Sequence, residues 1–186
     1  MIRVRPLLLA SFAAALAGAG LSAAGPASAQ LKPGTTAPAF DTQASLGGKV
    51  FDFNLSDALK KGPVVLYFYP AAFTSGCTKE AHDFAEHIDD YHKLGATVIG
   101  VSGDDIEKLN KFSVSDCRSK FAVASDADHK ISQAYDAVLK DGAETYSDRT
   151  SYVIAPDGTI VYAYHDLEPD KHVANTLAAL AKLKAK

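Results

Sequence analysis

The sequence predicts an α/β domain, a mixed central sheet flanked by helices on both faces, and three observations carry that prediction. Val64-Val65-Leu66-Tyr67-Phe68-Tyr69, bracketed by Pro63 and Pro70, is a continuous apolar run of the kind a strand buried on both faces shows. The order strand, helix, strand, helix follows it, which implies a right-handed parallel crossover. Near the C-terminus, Pro156-Asp157-Gly158-Thr159 between two β-rich runs reads as an antiparallel hairpin.

Each element has its own local reason. After a lead containing Pro33, Gly34 and Pro38, residues 49–55 alternate Val50, Phe51, Phe53 and Leu55 with polar positions, the pattern of a short hairpin element. Residues 63–70 form the central strand. Thr74, Ser75 and Gly76 are N-cap candidates, and Ala81, Phe84, Ile88 and Tyr91 recur at helical spacing up to Gly95, predicting a helix over 77–93. Residues 97–102 are a second buried strand. Residues 104–117 carry Ile106, Leu109 and Phe112 at helical spacing. A short strand over 121–124, a short helix over 128–135 and hairpin strands over 150–154 and 160–164 follow. A closing helix over 170–184 turns Val173, Leu177 and Leu180 inward and sets lysines at its C-terminal end, where the dipole favours them. Parallel crossover first and antiparallel hairpin last is thioredoxin-like architecture.

The chain has 186 residues, 47% hydrophobic and 22% charged, with a formal charge of -3. That composition suits one ordinary globular domain and excludes extensive disorder. With no basic cluster beyond a few C-terminal lysines, nucleic acid is not the expected partner. The first 29 residues read as a cleaved secretory signal: Arg3 and Arg5, an apolar stretch over 7–21, then Ala27-Ser28-Ala29 before the cleavage point. The stretch is too short and too rich in Gly and Ala for a membrane anchor. Neither a twin-arginine pair nor a cysteine at the cleavage point is present. The expected product, residues 30–186, is therefore a single periplasmic domain, with secretion as second choice and no membrane contact once the signal is removed.

Cys77 and Cys117 are the only cysteines, and their separation of 40 positions rules out a CxxC redox pair or a zinc ribbon. Cys77 falls where a buried strand has ended and a helix begins, the place where open α/β sheets put their sites. Free N–H groups and the positive end of the helix dipole stabilise a thiolate there, the nucleophilic form of the side chain. The blander alternative is an inert buried thiol, but the neighbours Thr74, Ser75, Gly76, Thr78, Lys79 and Glu80 do not read as core.

Here the sequence resembles a known family. Tyr69-Pro70-Ala71-Ala72-Phe73-Thr74-Ser75-Gly76-Cys77-Thr78 matches the Pro-x-x-x-Thr-x-x-Cys signature of peroxiredoxins, in the AhpC/TSA superfamily. Its Gly-Cys-Thr ending and Tyr-Phe-Tyr-Pro lead-in are similar to the bacterioferritin-comigratory, or peroxiredoxin Q, branch. The likeness extends from Gly34, Ala37, Pro38 and Phe40 through Phe121, Ser125 and Asp126 to Arg149-Thr150, Tyr152-Val153-Ile154 and the Pro-Asp-Gly hairpin. It implies a thiol peroxidase that reduces hydrogen peroxide and organic hydroperoxides, in antioxidant defence, with no cofactor and no metal. It implies that Cys77 is the peroxidatic cysteine, passing through a sulfenic acid. It further implies that the Thr74 hydroxyl bonds thiolate and peroxide, that the N–H groups of Gly76 and Cys77 support developing charge, that Pro70 shields the pocket, and that Arg149 holds the thiolate and polarises the O–O bond. Alone, each has a bland reading: Thr74 a cap, Pro70 a strand terminator, Arg149 a surface base paired with Asp148. A thioredoxin-like or other thiol reductant is the implied partner, and a monomer the implied state.

The chain departs from that pattern at one position. Many members of the branch place a resolving cysteine five residues after the peroxidatic one, and His82 stands there. The resemblance includes members whose resolving cysteine lies in the next helix, which makes Cys117 the candidate. Cys117 also fits the apolar face of its helix, although Ser113 to Asp116 before it and Arg118 to Lys120 after it are polar and weakly helix-forming, an end able to fray. A one-cysteine peroxidase, a permanent Cys77–Cys117 disulfide, a redox sensor and a copper site joining Cys77, His82 and His165 are the competing readings. His82, His87 and His92 do not share a helix face, and the absence of CxxC weakens a general thiol-disulfide oxidoreductase. Asp89-Asp90 and Asp104-Asp105 read as a solvated helix end and a helix start.

Overall fold

The computed structural model describes Met1 and residues 30–185, so the expected signal lies outside the described residues apart from Met1. Strands β1 (Asp41–Leu46) and β2 (Lys49–Asn54) form a hairpin through Gly47 and Gly48, both at positive φ. A short helix α1 (Leu55–Leu59) follows, capped by Asn54, whose side-chain oxygen accepts from the Asp57 N–H at 2.9 Å. Next come β3 (Val64–Phe68), α2 (Ser75–Glu86), α3 (Ile88–Lys93), β4 (Thr97–Ser102), α4 (Ile106–Ser115), β5 (Ala122–Ser125) and α5 (Lys130–Ala134). A small hairpin of β6 (Val138–Asp141) and β7 (Glu144–Ser147) precedes β8 (Thr150–Ile154) and β9 (Ile160–His165). A 3-10 turn (Pro169–Lys171) leads into α6 (His172–Lys184).

Seven strands form one sheet in the order β2-β1-β5-β4-β3-β8-β9. The pairs β3/β4 and β4/β5 are parallel, and the other neighbours run antiparallel. This is the mixed, thioredoxin-like sheet that the sequence predicts. Strand β3 is its centre because it can be buried twice: Val65, Tyr67 and Tyr69 point into one core, Val64, Leu66 and Phe68 into the other. The first core is closed by α2, α3, α4 and α6 and contains both cysteines, while the second is closed by α1 and by Tyr135 and Tyr152. Each fully buried large side chain contributes about 1.5–3 kcal/mol of transfer free energy, so this double burial fixes the strand. The ring of Tyr67 stacks on Phe84 of α2 with centroids 4.4 Å apart. Gly100 makes room for it, since a Cβ there would lie 2.6 Å from the Tyr67 ring.

Several elements differ from the sequence reading. The helix expected over 77–93 starts two residues earlier and breaks at His87 (φ −101°, ψ 7°), giving α2 and α3. There the imidazole Nδ1 donates to the Asp83 carbonyl at 2.9 Å, beside the His87 N–H at 3.3 Å, and side chain competes with helix for one acceptor. Asp89 and Asp90 consequently occupy the first turn of α3 rather than a helix end, where the dipole favours them. Finally, β1, α1 and the β6/β7 hairpin have no counterpart in the expected elements, and Leu55, expected in the hairpin element, opens α1 instead.

Candidate active site

The site forms where β3 ends. The Tyr69 N–H still reaches the Val101 carbonyl at 3.1 Å, but Pro70 has no N–H to continue the ladder, and the chain leaves the sheet. The loop that follows is held from below by Asp104, whose Oδ2 accepts from the Ala72 N–H at 2.7 Å and from Ser102 Oγ at 2.8 Å. Lys108 Nζ donates to the other carboxylate oxygen at 2.5 Å. Asp104 is therefore a loop anchor, whereas Asp105 is the helix-start residue, accepting from the Lys108 N–H at 2.7 Å. Phe73 takes a left-handed φ of 68° and lays its exposed ring edge-on against Phe112, with centroids 5.2 Å apart.

Thr74 caps α2 with extended backbone and no side-chain cap bond. Its hydroxyl donates to the Ala71 carbonyl at 2.9 Å. The reason is local: donor and acceptor are three residues apart in a tight loop, so the bond forms without substrate. The first N–H taken up by the helix is that of Thr78, 2.8 Å from the Thr74 carbonyl, so Ser75, Gly76 and Cys77 present theirs in the open first turn. Cys77, the third residue of α2, is 2% exposed.

Arg149 immediately precedes β8 and is itself buried. Each of its three nitrogens has a different partner: Nε donates to the Leu167 carbonyl at 2.8 Å, one terminal nitrogen to Glu80, the other to Cys77 Sγ at 3.4 Å. Asp148, the partner that a surface role required, instead faces His165 Nε2 at 2.8 Å. Gly76 permits the approach, because a Cβ there would meet the guanidinium at 3.1 Å. Glu80 lies three residues beyond Cys77, on the same helix face, and is fully buried. Burial pushes its carboxyl up to about 8 against the pull of Arg149. Burial also works against the Arg149 charge, but Glu80 and Cys77 more than restore it.

Behind Glu80 stands His172, the first residue of α6, also fully buried. Its Nε2 donates to the Asp166 carbonyl at 2.9 Å, since a carbonyl only accepts, and its Nδ1 lies 2.8 Å from Ser151 Oγ and 3.6 Å from Glu80 Oε1. Burial brings the imidazole down to about 4.

Cys117 packs into the same core as Cys77, among Tyr67, Tyr69, Phe112 and Phe121. Both thiols are free. The segment expected to fray is wound into a defined cap: Cys117 and Ser119 donate to the carbonyls of Phe112 and Ser113 at 3.1 and 2.9 Å, and Arg118 and Ser119 adopt positive φ. Asp116 ties this cap to α2 by accepting from Thr78 Oγ1 at 2.7 Å. Burial first, then the Asp116 charge, pushes the Cys117 thiol well above the ordinary range. His82 turns to Asp116 at 4.0 Å and His165 to Asp148, so neither is gathered around Cys77. Glu80, Asp104, Asp116 and His172 are the residues that sequence reasoning missed. Only Glu80 left a signal there, its i+3 spacing from Cys77.

Residues 33–163 match the model of the AhpC/TSA family. The chain is 39% identical to a chloroplastic peroxiredoxin Q of Triticum aestivum over 67% of this chain and 57% of that protein. It is 35% identical to a chloroplastic peroxiredoxin Q of Oryza sativa over 97% and 89%. Among solved structures, peroxidoxin BcpB of Mycobacterium tuberculosis is 30% identical with a TM-score of 0.75, covering 82% of this chain and 98% of that one. The Xanthomonas campestris bacterioferritin comigratory protein, solved in connection with its alkyl peroxide reduction activity, is 28% identical with a TM-score of 0.68 over 76% and 91%.

Proposed function

From the premise that this chain belongs to the AhpC/TSA family and is a thiol peroxidase on a thioredoxin-like fold, we propose that Cys77 is its peroxidatic nucleophile. The observation that carries this reading is the three-way attachment of Arg149, which aims one N–H at Sγ from 3.4 Å while its other nitrogens are held by Leu167 and Glu80. A guanidinium suits this because it stays charged and donates in a fixed fork. The thiolate attacks one peroxide oxygen, the O–O bond breaks, and the other oxygen leaves as hydroxide or alkoxide, which takes up a proton. Cys77 is left as a sulfenic acid. The open N–H groups of Gly76 and Cys77 and the Arg149 charge face the oxygens on which negative charge grows. Pro70, half-buried at the end of β3, keeps water from the sulfur. Thr74 takes part by turning its hydroxyl from Ala71 toward the bound peroxide.

Cys117 resolves the sulfenic acid: its sulfur attacks Cys77, water leaves, and a disulfide forms that a thiol reductant, thioredoxin-like or other, reopens. Both thiols belong to one core cluster on one face of the sheet, which supports the pairing. Cys117 is fully buried and burial keeps its thiol protonated, so the cap around it and the first turn of α2 open during the cycle to give the two sulfurs access to each other. Hydrogen peroxide and organic hydroperoxides are the substrates, the latter in line with the alkyl peroxide activity of the Xanthomonas campestris protein. Arg3, Arg5, the apolar stretch over 7–21 and Ala27-Ser28-Ala29 support export to the periplasm, where the protein acts as a monomer.

Peroxide consumption driven by a small dithiol tests the reading. Sustained turnover by the wild type and none by Cys77→Ser is expected. Reaction of one peroxide per chain without turnover would leave a sensor instead.

A further inference from the structure

Glu80 and Cys77 are both acids, and they touch the same guanidinium. If Glu80 is ionised it neutralises Arg149, and the charge that should hold the thiolate is already spent. The buried neighbourhood offers one way out. Glu80 Oε1 has no hydrogen-bond partner, and the atom facing it is Nδ1 of the equally buried His172, 3.6 Å away. The Nε2–H of His172 is committed to the Asp166 carbonyl, so Nδ1 presents either a lone pair or a second proton. Ser151 Oγ, at 2.8 Å, satisfies either state by donating to the lone pair or accepting from the proton. An ionised Glu80 opposite a lone pair is repulsive, whereas one proton anywhere on the pair removes the conflict.

We propose that Glu80 and His172 share a single proton in the resting enzyme, which keeps the charge of Arg149 available to Cys77 and makes His172 a positioning residue for the peroxidatic thiolate. The proposal rests on the assignment of Cys77 as the nucleophile. The proton exchanges between two forms, a carboxylic acid beside a neutral imidazole and a carboxylate beside an imidazolium. In both, the group formed by Glu80, His172 and Arg149 carries a net charge of +1, and the Cys77 thiolate balances it.

The other ionisable groups around the pair are Asp83 on α2, Tyr91 on α3, and Tyr164, His165 and Asp166 at the end of β9 and beyond it. Tyr91 donates to Val173 or Thr176 and Tyr164 to Asp166, while His165 faces Asp148, so each has a partner outside the pair. Burial favours the uncharged form of both Glu80 and His172, in keeping with one shared proton near neutrality.

The test separates the two nitrogens of His172 in a Cys117→Ser background, where only Cys77 reacts. His172→Gln can keep the donor to Asp166 but leaves no acceptor at Nδ1. His172→Asn sacrifices that donor and keeps an oxygen at the Nδ1 position. The proposal expects the rate of peroxide reaction in His172→Gln to drop roughly ten- to a hundredfold near neutrality, with the rising limb of its pH profile moved to higher pH. His172→Asn should recover most of the rate, and in a Glu80→Gln background His172→Gln should add no further loss. A purely structural His172 predicts the reverse order of the two variants and an unmoved pH profile, and that result would overturn the proposal. Should His172→Gln fail to fold, spectroscopy on the parent enzyme decides. A protonated Glu80 carbonyl stretch in the infrared or an imidazolium ¹⁵N signal from His172 must be present at neutral pH, and the absence of both overturns the proposal. Failure of the parent Cys77 to react with peroxide would instead remove the underlying assignment.

Discussion

Arg149→Lys separates the charge of the guanidinium from its geometry. Lysine keeps the positive charge but has one nitrogen, whereas Arg149 uses three on Leu167, Glu80 and Cys77. The ammonium settles on the buried Glu80 carboxylate, and the donor 3.4 Å from Sγ is lost. A hydrogen bond to a charged group contributes about 1.5–3 kcal/mol. At 1.36 kcal/mol per tenfold, that corresponds to about a 10- to 150-fold slower attack on peroxide. Arg149→Met removes the charge as well and should be slower still, with an added stability loss of about 3–5 kcal/mol if Glu80 is left ionised without a partner. The assay is the second-order rate constant for hydrogen peroxide in Cys117→Ser protein, read by competition with a second peroxidase because the chain contains no tryptophan. A lysine variant within about twofold of the parent at every pH would refute the claim that the fork matters beyond its charge.

Three further outcomes follow from the same structure. Burial raises the Glu80 carboxyl from 4.5 to about 8 and lowers the His172 imidazole from 6.5 to about 4, so the folded pair holds one proton between about 4 and 8, whereas the unfolded chain holds one only between 4.5 and 6.5. Chemical denaturation should show a contribution that is level from 4.5 to 6.5 and is lost by roughly 2 kcal/mol as pH rises from 6.5 through about 8, a loss that Glu80→Gln lacks. Thr78→Val removes the bond to Asp116 that holds the Cys117 cap against α2, and disulfide formation after peroxide should accelerate by up to roughly tenfold if opening limits it; an unchanged rate would mean the tie does not restrain opening. Gly100→Ala drives a methyl into the Tyr67 ring and should cost about 1–3 kcal/mol, measured as a lowered denaturation midpoint.

What could be read from the sequence follows from where burial leaves a pattern. Strand β3 was legible because both its faces are buried and every residue is apolar. Strand β1 was not: Asp41-Thr42-Gln43-Ala44-Ser45-Leu46 buries only Ala44 and Ser45, and its strand character comes from pairing with β2 and β5 rather than from alternation. The β6/β7 hairpin turns through Gly142 but buries little, so it too left no periodic signal. At the site, Cys77, Pro70 and Thr74 share one short segment, whereas the groups that set the charge there are far apart in sequence. Glu80 hid as one polar neighbour among several, and His172, nearly a hundred residues from Cys77, meets Glu80 only because α6 folds back across β8 and β9. The polar sequence around Cys117 suggested a loose helix end, yet its hydrogen bonds close into a cap with the thiol inside the core.

The central claim is that Cys77 attacks peroxide and Cys117 resolves the product. Intact mass and free-thiol count of the reduced protein before and after one equivalent of hydrogen peroxide, beside Cys77→Ser and Cys117→Ser, test it most directly. The account predicts loss of both thiols and of two hydrogens in the wild type, a trappable sulfenic acid in Cys117→Ser, and no rapid reaction in Cys77→Ser. A sulfenic acid in the wild type with Cys117 still free would contradict the resolving role, and an unreactive Cys77 would contradict the mechanism as a whole.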